Sequence, residues 1–301
     1  MRLVPPCALL LLAAIPAYAA TQKKFDPTTC HLTALVTDDN DIRLEDSGDD
    51  RPPGKAVSMP EPVALEIRAA ATKFLAKLDP ELTEQLTCKD VFAATYRISE
   101  PQHHQLYVAD IEASLAGGFF YLFLFDPSTG SVTQNPPRIF AKWTASWGGN
   151  DELMKEPIIS SADLFSNHEP QIVFEERAHN GTMYNAVIYH YFAVGPHLEL
   201  TRVLARETRL MADPLEGIYV RKLTSLSPGR LKLEMFYVPD ADAMKREEIG
   251  YAILESPGPN SPFHVAERKL NNPKYLHCLI TCMDMPPTDD VFLREGNTFY
   301  Y

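Results

Sequence analysis

The sequence is poor in positive charge and, beyond its first residues, has no long hydrophobic run. Lysine and arginine total 28 against 40 aspartates and glutamates, which gives a formal net charge of −12. Nucleic-acid binding needs clustered cations that neutralise phosphates, and no basic stripe offsets the acidic excess. We therefore expect no nucleic-acid partner. A membrane-spanning helix needs roughly 20 apolar residues, so no transmembrane segment is expected after the N-terminal leader is removed.

Recognisable catalytic motifs are also missing. After the leader the chain contains neither Gly-x-Ser-x-Gly nor Ser-x-x-Lys, the patterns that activate a serine nucleophile. Glu176 and His179 have the spacing of two ligands on a helix, but their surroundings predict a strand, in which such positions face opposite sides. Glu175 and Glu176 are neighbours and would also point apart. The sequence thus predicts no catalytic residue, no metal and no cofactor.

The N-terminus has the pattern of a cleavable secretory signal peptide at residues 1–19. Arg2 precedes an apolar core at 8–15, and Ala17-Tyr18-Ala19 supplies a small-x-small cleavage site. The core is too short to cross a bilayer. An uncleaved anchor or a buried helix is the alternative interpretation. We expect an extracytoplasmic protein, periplasmic or secreted, that begins at Ala20 or Thr21.

Cysteine is scarce, and four of the five cysteines follow the leader. An even number in an exported chain favours disulfides, for which three pairings are possible. We predict that Cys30 pairs with Cys88 and that Cys278 pairs with Cys282. Free thiols are one alternative. A metal site at His277, Cys278 and Cys282 is another, but it lacks the second ligand pair usual for zinc.

The pattern of residues divides the rest of the chain into two parts. Residues 20–60 are polar and rich in aspartate, glycine and proline, so we predict a flexible segment. Residues 61–301 are predicted to form a single β-rich domain that begins with a helix at 62–78. That helix is indicated by Val63, Ile67 and Phe74, which recur at helical spacing.

From residue 105 onward, runs of β-branched and aromatic residues alternate with turn residues, as in antiparallel β-structure. Seven consecutive apolar residues at 119–125 predict a strand covered on both faces. The residues after it, 126–130, predict a turn with glycine in the left-handed position. Further strands are predicted at 106–111, 139–144, 197–210, 218–223, 231–238, 249–254 and 291–293.

The strongest hairpin signal is Asn180-Gly181, between predicted strands at 171–178 and 183–194. Both residues tolerate positive φ, so the pair predicts a two-residue type I′ turn.

Residues 162–173 resemble the entry to a blade of the FG-GAP type of β-propeller repeat. In that family an aspartate-rich loop binds calcium and precedes an apolar strand. Asp163 and Asn167 match two of the ligand positions.

The resemblance is incomplete at three positions. Phe165 replaces a third ligand, His168 stands where the family has a turn glycine, and Gln171 takes the place of the distal carboxylate. Because calcium needs six to eight oxygens, the resemblance implies a loop that has lost its metal. No second copy follows at a propeller's period. We predict a mainly β fold, an antiparallel meander of hairpins that is propeller-like or a curved sheet, with a sandwich as alternative.

Aromatic rings with polar neighbours are the feature most typical of a binding surface. Such rings offer large contact area and hydrogen-bonding edges to a glycan or a peptide, although they also fill the cores of twisted sheets. The candidate binding residues are Glu176, His179, Tyr189, His190, Trp143 and Trp147.

These features predict an exported, non-enzymatic binding or envelope-associated protein with a protein or glycan partner. The alternative is a secreted hydrolase that uses dispersed residues, among them Glu175, Glu176, His179 and His190. A structural envelope component is a third possibility.

Overall fold

A computed structural model describes residues 24–36, 55–99, 104–113, 117–134, 136–142, 158–180, 184–212, 218–238 and 246–272. Within these ranges the chain forms a seven-stranded and an eight-stranded sheet, neither closed into a barrel, and three α-helices. The prediction of a mainly β, antiparallel fold with one long N-terminal helix is confirmed. Among the described residues, no helix combines the length and hydrophobicity needed to cross a membrane.

Sheet A comes from the first half of the chain. Its strands are β1 (Thr33–Val36), β2 (Lys55–Ser58), β3 (Phe92–Ser99), β4 (Gln105–Ala113), β5 (Gly117–Asp126), β6 (Ser131–Val132) and β7 (Arg138–Lys142). They lie in the order β2-β1-β3-β4-β5-β6, and β7 also pairs with β5. Every pair is antiparallel except β1 with β3. This sheet therefore joins the N-terminal strands to the central hairpins.

The long helix α1 (Glu61–Leu75) covers one face of sheet A. Two short helices follow, α2 (Pro80–Thr83) and α3 (Cys88–Val91). The helix packs its apolar stripe on β4 and β5, and the Phe74 and Phe119 rings meet edge to face at 5.3 Å. It ends three residues before the predicted boundary, where the backbone N–H groups of Lys77 and Leu78 donate to carbonyls three residues back and close the helix as a tighter turn. Asp79 then accepts a hydrogen bond from the backbone N–H of Glu81 and begins α2.

The prediction of a flexible segment over residues 20–60 is wrong for 24–36 and 55–60. A short 3-10 helix (Pro27–Thr29), β1 and β2 occupy these ranges. The disulfide between Cys30 and Cys88, with 5.6 Å between their Cα atoms, ties the segment to α3 and confirms one predicted pairing. Ala34 is fully buried beside α1. Four-residue strands are too short to show a periodicity, so the polar composition dominated the prediction.

Sheet B is a single antiparallel meander from the second half of the chain. Its strands are β8 (Ile158–Ala162), β9 (Gln171–Asn180), β10 (Tyr184–Val194), β11 (Leu200–Ala212), β12 (Ile218–Ser227), β13 (Arg230–Val238), β14 (Glu247–Glu255) and β15 (His264–Leu270). Each strand pairs with its neighbours in the chain. The predicted strand at 291–293, the predicted Cys278–Cys282 pair and the leader at 1–19 lie outside the described residues.

Three apolar layers hold these elements together. The first lies between α1 and sheet A. The second lies between the other face of sheet A and strands β8–β10, and it includes Leu122, Leu124, Phe174 and Phe192. The third lies inside sheet B, where Tyr191 and the residues around it on β9–β11 pack against β13 and β14. Sheet B therefore folds over on itself, and β5 is covered on both faces as its sequence predicts.

The register of the β9–β10 hairpin corrects one sequence prediction. Asn180 pairs with Tyr184, so Asn180 belongs to the strand ladder and the predicted two-residue Asn180-Gly181 turn is wrong. The observed register places Ile172 opposite Phe192, and both are buried in the layer between the sheets. Tertiary burial fixes a register more strongly than a turn preference, because a slip by an odd number of residues would turn these side chains to the other face.

Candidate functional site

Tyr189 and His190 are neighbours on β10 and lie on opposite faces of sheet B. His190 is only 4% exposed, and its ring lies 6.3 Å from that of Phe174, between the two sheets. Tyr189 packs in the layer inside sheet B. The two candidate residues therefore do not face the same side of the sheet, because side chains alternate along a strand, and a binding role for either stays a prediction.

The other predicted binding residues are described in part or not at all. Glu176 and His179 belong to β9, where their backbones pair with Ile188 and Asn185. Nothing further is described of their side chains. Trp143 and Trp147 lie outside the described residues.

The polar residues around Tyr189 form a compact group that we call the Tyr189 cluster: Glu175, Tyr189, Tyr191 and Arg206. The Arg206 guanidinium carbon lies 5.2 Å from the centroid of the Tyr189 ring and 5.8 Å from that of Tyr191. Its Nε atom donates a hydrogen bond of 2.9 Å to the Tyr191 hydroxyl. One cation therefore bridges two aromatic rings.

A buried carboxylate completes the Tyr189 cluster. Glu175 is 9% exposed and lies directly opposite Tyr189 in the β9–β10 ladder. Burial, together with a hydrogen bond from the Tyr189 hydroxyl to the Glu175 carboxylate, raises the pKa of Tyr189 to about 12. The phenol thus stays protonated at neutral pH and serves as a donor. These contacts are those of a structural network inside a sheet.

A cleft of about 580 Å³ opens at one end of both sheets, and we call it the loop-end cleft. Its walls come from the start of β4, the β5–β6 turn, the β8–β9 loop, the β10–β11 turn and the β14–β15 loop. Its volume is in the range of natural ligand pockets, about 300 to 1,000 Å³. The polar side chains in its lining include His104, Asp126, Glu169, His197 and Asn260.

Asp126 begins the β5–β6 turn on the sheet A side of the cleft. Its carboxylate accepts hydrogen bonds from the Ser128 hydroxyl, the Ser128 backbone N–H and the Thr129 hydroxyl. These donors lower the pKa of Asp126 to about 2. Gly130 closes the turn at φ 73°, as predicted. Asp126 is therefore a permanent anion at neutral pH.

The β8–β9 loop, which resembles the FG-GAP calcium loop, is closed by its own hydrogen bonds. Asp163 Oδ1 accepts from the backbone N–H groups of Phe165 and Asn167, and Oδ2 accepts from that of His168. Desolvation raises the pKa of Asp163, but these backbone donors together outweigh it and lower the pKa. Both oxygens of this carboxylate are thus engaged by the loop backbone.

Gln171, at the position of the distal carboxylate, also binds its own loop. Its Oε1 accepts from the Leu164 N–H, and its Nε2 donates to the Glu169 carbonyl. Within the described ranges, no group of three or more His, Cys, Asp or Glu side chains is arranged to hold a metal ion. The family resemblance itself stays a prediction.

Left-handed backbone occurs in two of the segments that contribute to the cleft, and one of the residues concerned, Leu198, is part of the lining. In the described part of the chain, the non-glycine residues with positive φ are Ser166 (52°), His168 (64°) and Leu198 (63°). The first two lie in the β8–β9 loop and the third in the β10–β11 turn, and both segments line the cleft. Left-handed backbone is costly for residues other than glycine and is often found at functional sites.

Leu198 is held in place from the opposite sheet. The buried Thr133 hydroxyl, just after β6, donates a hydrogen bond of 2.9 Å to the Leu198 carbonyl and accepts one from the Leu124 N–H. The Leu198 N–H in turn donates to the Gly195 carbonyl. One hydroxyl therefore fixes the position of the β10–β11 turn relative to sheet A.

Sequence reasoning missed the loop-end cleft because its lining comes from five separated segments. Two of these segments carried a detectable signal: the Asp126–Gly130 turn, and the loop at Asp163 that carries the family resemblance. Neither signal shows that the segments meet. Their convergence depends on the packing of sheet A against sheet B.

Comparison with known proteins gives no match, whether with family models, curated proteins or solved structures. The geometry of the loop-end cleft and of the Tyr189 cluster is therefore the basis for a functional assignment.

Proposed function

We propose that this chain is an exported, non-enzymatic binding protein that holds its ligand or partner in the loop-end cleft. The observation that carries the proposal is the convergence of five segments on one 580 Å³ cleft, together with the left-handed residues Ser166, His168 and Leu198 in two of them. Loops positioned by a rigid β scaffold are the usual place for binding residues.

Export is supported by the leader at residues 1–19 and by cysteine usage. The apolar core and the Ala17-Tyr18-Ala19 site have the pattern of a cleavable signal peptide. The Cys30–Cys88 disulfide is of the kind that persists in oxidising compartments.

A binding role is favoured over hydrolysis by the electrostatics of the loops. A glycosidase needs a general acid whose pKa is raised. Hydrogen bonds instead lower the pKa of Asp126 in the cleft lining, and they lower the pKa of Asp163 and Glu199 in the adjoining loops. The two hydrolase candidates with described side chains, Glu175 and His190, lie on opposite faces of sheet B.

Export is tested by expressing the full chain with its own leader and sequencing the N-terminus of the protein recovered outside the cytosol. We expect a mature chain that begins at Ala20 or Thr21. An intact Met1 terminus, confined to the cytosolic fraction, would contradict the proposal.

The binding role is tested by screening the purified protein against peptide and glycan arrays and repeating each hit with Asn260→Trp, which fills the cleft. Leu65→Trp, on the exposed side of α1, is the matched control. We expect the substitution in the cleft to weaken binding at least about tenfold, a change of about 1.4 kcal/mol, and the control to leave it unchanged. Hits that survive Asn260→Trp would exclude the cleft as the site.

Non-enzymatic action is tested on glycosidase, esterase and protease substrates. If the wild-type protein turns over one of these substrates and His197→Ala does not, the cleft is a catalytic site and the non-enzymatic proposal is wrong.

A further inference from the structure

The charges that line the loop-end cleft are unbalanced. Asp126 contributes a carboxylate from sheet A, and Glu169 contributes one from the β8–β9 loop on the other side. Among the described residues that line the cleft there is no lysine or arginine. A cavity walled by carboxylates of two different elements focuses a negative potential into the space between them.

This negative charge is built into the loops. Three hydrogen-bond donors lower the pKa of Asp126 to about 2. Glu169 is held by the Asn167 side-chain amide, which donates to Oε2 at 3.1 Å. Beside the cleft, the Glu199 carboxylate accepts from the His197 N–H. Turn backbone and neutral side chains therefore orient these carboxylates, so a ligand can supply the missing cation.

The uncharged part of the lining favours an extended cationic group over a sugar ring. Sugar rings are commonly bound against aromatic faces, and within the described lining there is no Phe, Tyr or Trp. Instead, Pro170, Pro196 and Pro259 supply apolar surface, and Asn260 supplies an amide. A lysine or arginine side chain has an apolar stem and a charged, hydrogen-bond-donating head, which matches both components.

We propose that the loop-end cleft binds an alkylammonium or guanidinium group, supplied by a lysine or arginine side chain of a partner protein. This inference rests on the proposed binding function and specifies the chemistry of the ligand. The cation lies between Asp126 and Glu169, and its stem contacts the prolines. The net charge of −12 attracts such a partner from a distance.

The test uses a fluorescein-labelled peptide of alternating lysine and glycine, and the same peptide with glutamine in place of lysine. Binding to the purified full chain is measured by fluorescence anisotropy. Glu169→Gln removes one charge from the cleft, and Glu84→Gln, at the exposed end of α2, removes one elsewhere. We expect the first to weaken lysine-peptide binding about fivefold and the second less than about twofold, because a single partly exposed ion pair contributes about 1 kcal/mol.

Two further measurements, a change of salt concentration and competition by a free amine, show whether the cation comes from a partner protein or from a small molecule. Raising the salt concentration from about 0.02 M to about 0.5 M shortens the Debye length. We expect this change to weaken binding of the lysine peptide and to leave binding of the glutamine peptide unchanged. Spermidine is expected to compete only weakly, since it lacks a peptide's contacts with the rim. If spermidine alone binds as tightly as the peptide, the partner-protein part of the proposal is overturned.

The remaining outcomes separate this inference from the proposed function. If both peptides bind equally and Asn260→Trp abolishes binding, the cleft is a binding site but the cationic ligand is wrong. If Glu169→Gln and Glu84→Gln weaken binding equally, the attraction is non-specific and the inference fails. If no array hit and no probe responds to Asn260→Trp, the binding function of the cleft fails as well.

Discussion

The Tyr189 cluster and the loop-end cleft both contain carboxylates, but the two regions provide them with different partners. In the cluster, the buried Glu175 meets the Tyr189 hydroxyl, and the Arg206 cation lies over the Tyr189 ring. In the cleft, the partners that Asp126 and Glu169 have among the described residues are hydroxyl, amide and backbone N–H donors of nearby loop residues. The first region includes its own cation, and the described lining of the second does not.

This difference separates structural polar residues from functional ones. Polar side chains that satisfy one another inside a sheet contribute to stability, and removing one leaves the others buried without a partner. Carboxylates that are oriented by loop backbone and face an open cavity are available to a ligand. Substitutions in the two regions should therefore affect different measurements.

The largest effect is expected for Arg206→Met in the Tyr189 cluster. The substitution removes the cation from two aromatic rings and the donor to the Tyr191 hydroxyl, at a cost of about 3 kcal/mol in the free energy of unfolding. Arg230→Met is the control, because its pair with Glu255 is about half exposed and should contribute less than about 0.5 kcal/mol. Urea unfolding measures both, and equal losses would contradict a structural role for the cluster.

Tyr189→Phe is expected to destabilise the protein by about 2 kcal/mol, because the buried Glu175 carboxylate loses a hydrogen-bond donor. Tyr251→Phe is matched to it: the Tyr251 hydroxyl donates to Glu267 at 3.0 Å on the exposed face of sheet B. The control should cost less than about 0.5 kcal/mol. If the two variants unfold at the same urea concentration, burial of the Tyr189–Glu175 pair adds nothing to the free energy of unfolding.

Thr133→Val is expected to cost about 1 kcal/mol, the net value of an ordinary buried hydrogen bond, because the Leu198 carbonyl and the Leu124 N–H lose the hydroxyl. The local consequence is at the cleft: the Leu198 amide should exchange with deuterium faster than in the wild type. Thr133→Ser keeps the hydroxyl and should restore slow exchange. If the Leu198 amide also exchanges fast in the serine variant, the loss of the threonine methyl group, and not of the hydrogen bond, explains the faster exchange.

The smallest effect is expected from the acid titration of Asp126. Its pKa is lowered from 3.8 to about 2 in the folded chain, so the ionised form stabilises the fold. That contribution is present above pH 3.8 and is lost as the pH falls towards 2. The melting temperature of Asp126→Asn should therefore change less than that of the wild type across this range. Parallel curves for the two proteins would show that the turn does not depend on the charge.

Much of the fold could be predicted from the sequence because its signals are local. The run at 119–125 predicted β5, and the alternation at 231–238 predicted β13. The predicted strands did not include β3, β8 and β15. The last is largely exposed, so no apolar pattern marks it. The strands β1 and β2 were hidden in polar sequence, although Cys30 was correctly paired with Cys88.

The candidate site was less predictable because it depends on register and on packing between sheets. Tyr189 was recognised as polar and aromatic, but its partner Glu175 follows from a hairpin register that Asn180-Gly181 predicted wrongly. The cleft joins Asp126 to Glu169, which are far apart in the chain. A single sequence contains no signal that the two segments line one cleft.

The most direct test of the assignment is hydrogen–deuterium exchange of the full chain with and without the lysine–glycine peptide. We expect slower exchange on peptide addition at residues 169–171 and 193–198, which line the cleft, and no change at residues 186–191 and 203–207 around the Tyr189 cluster. Protection of the cluster segments with unchanged exchange at the cleft would contradict the assignment.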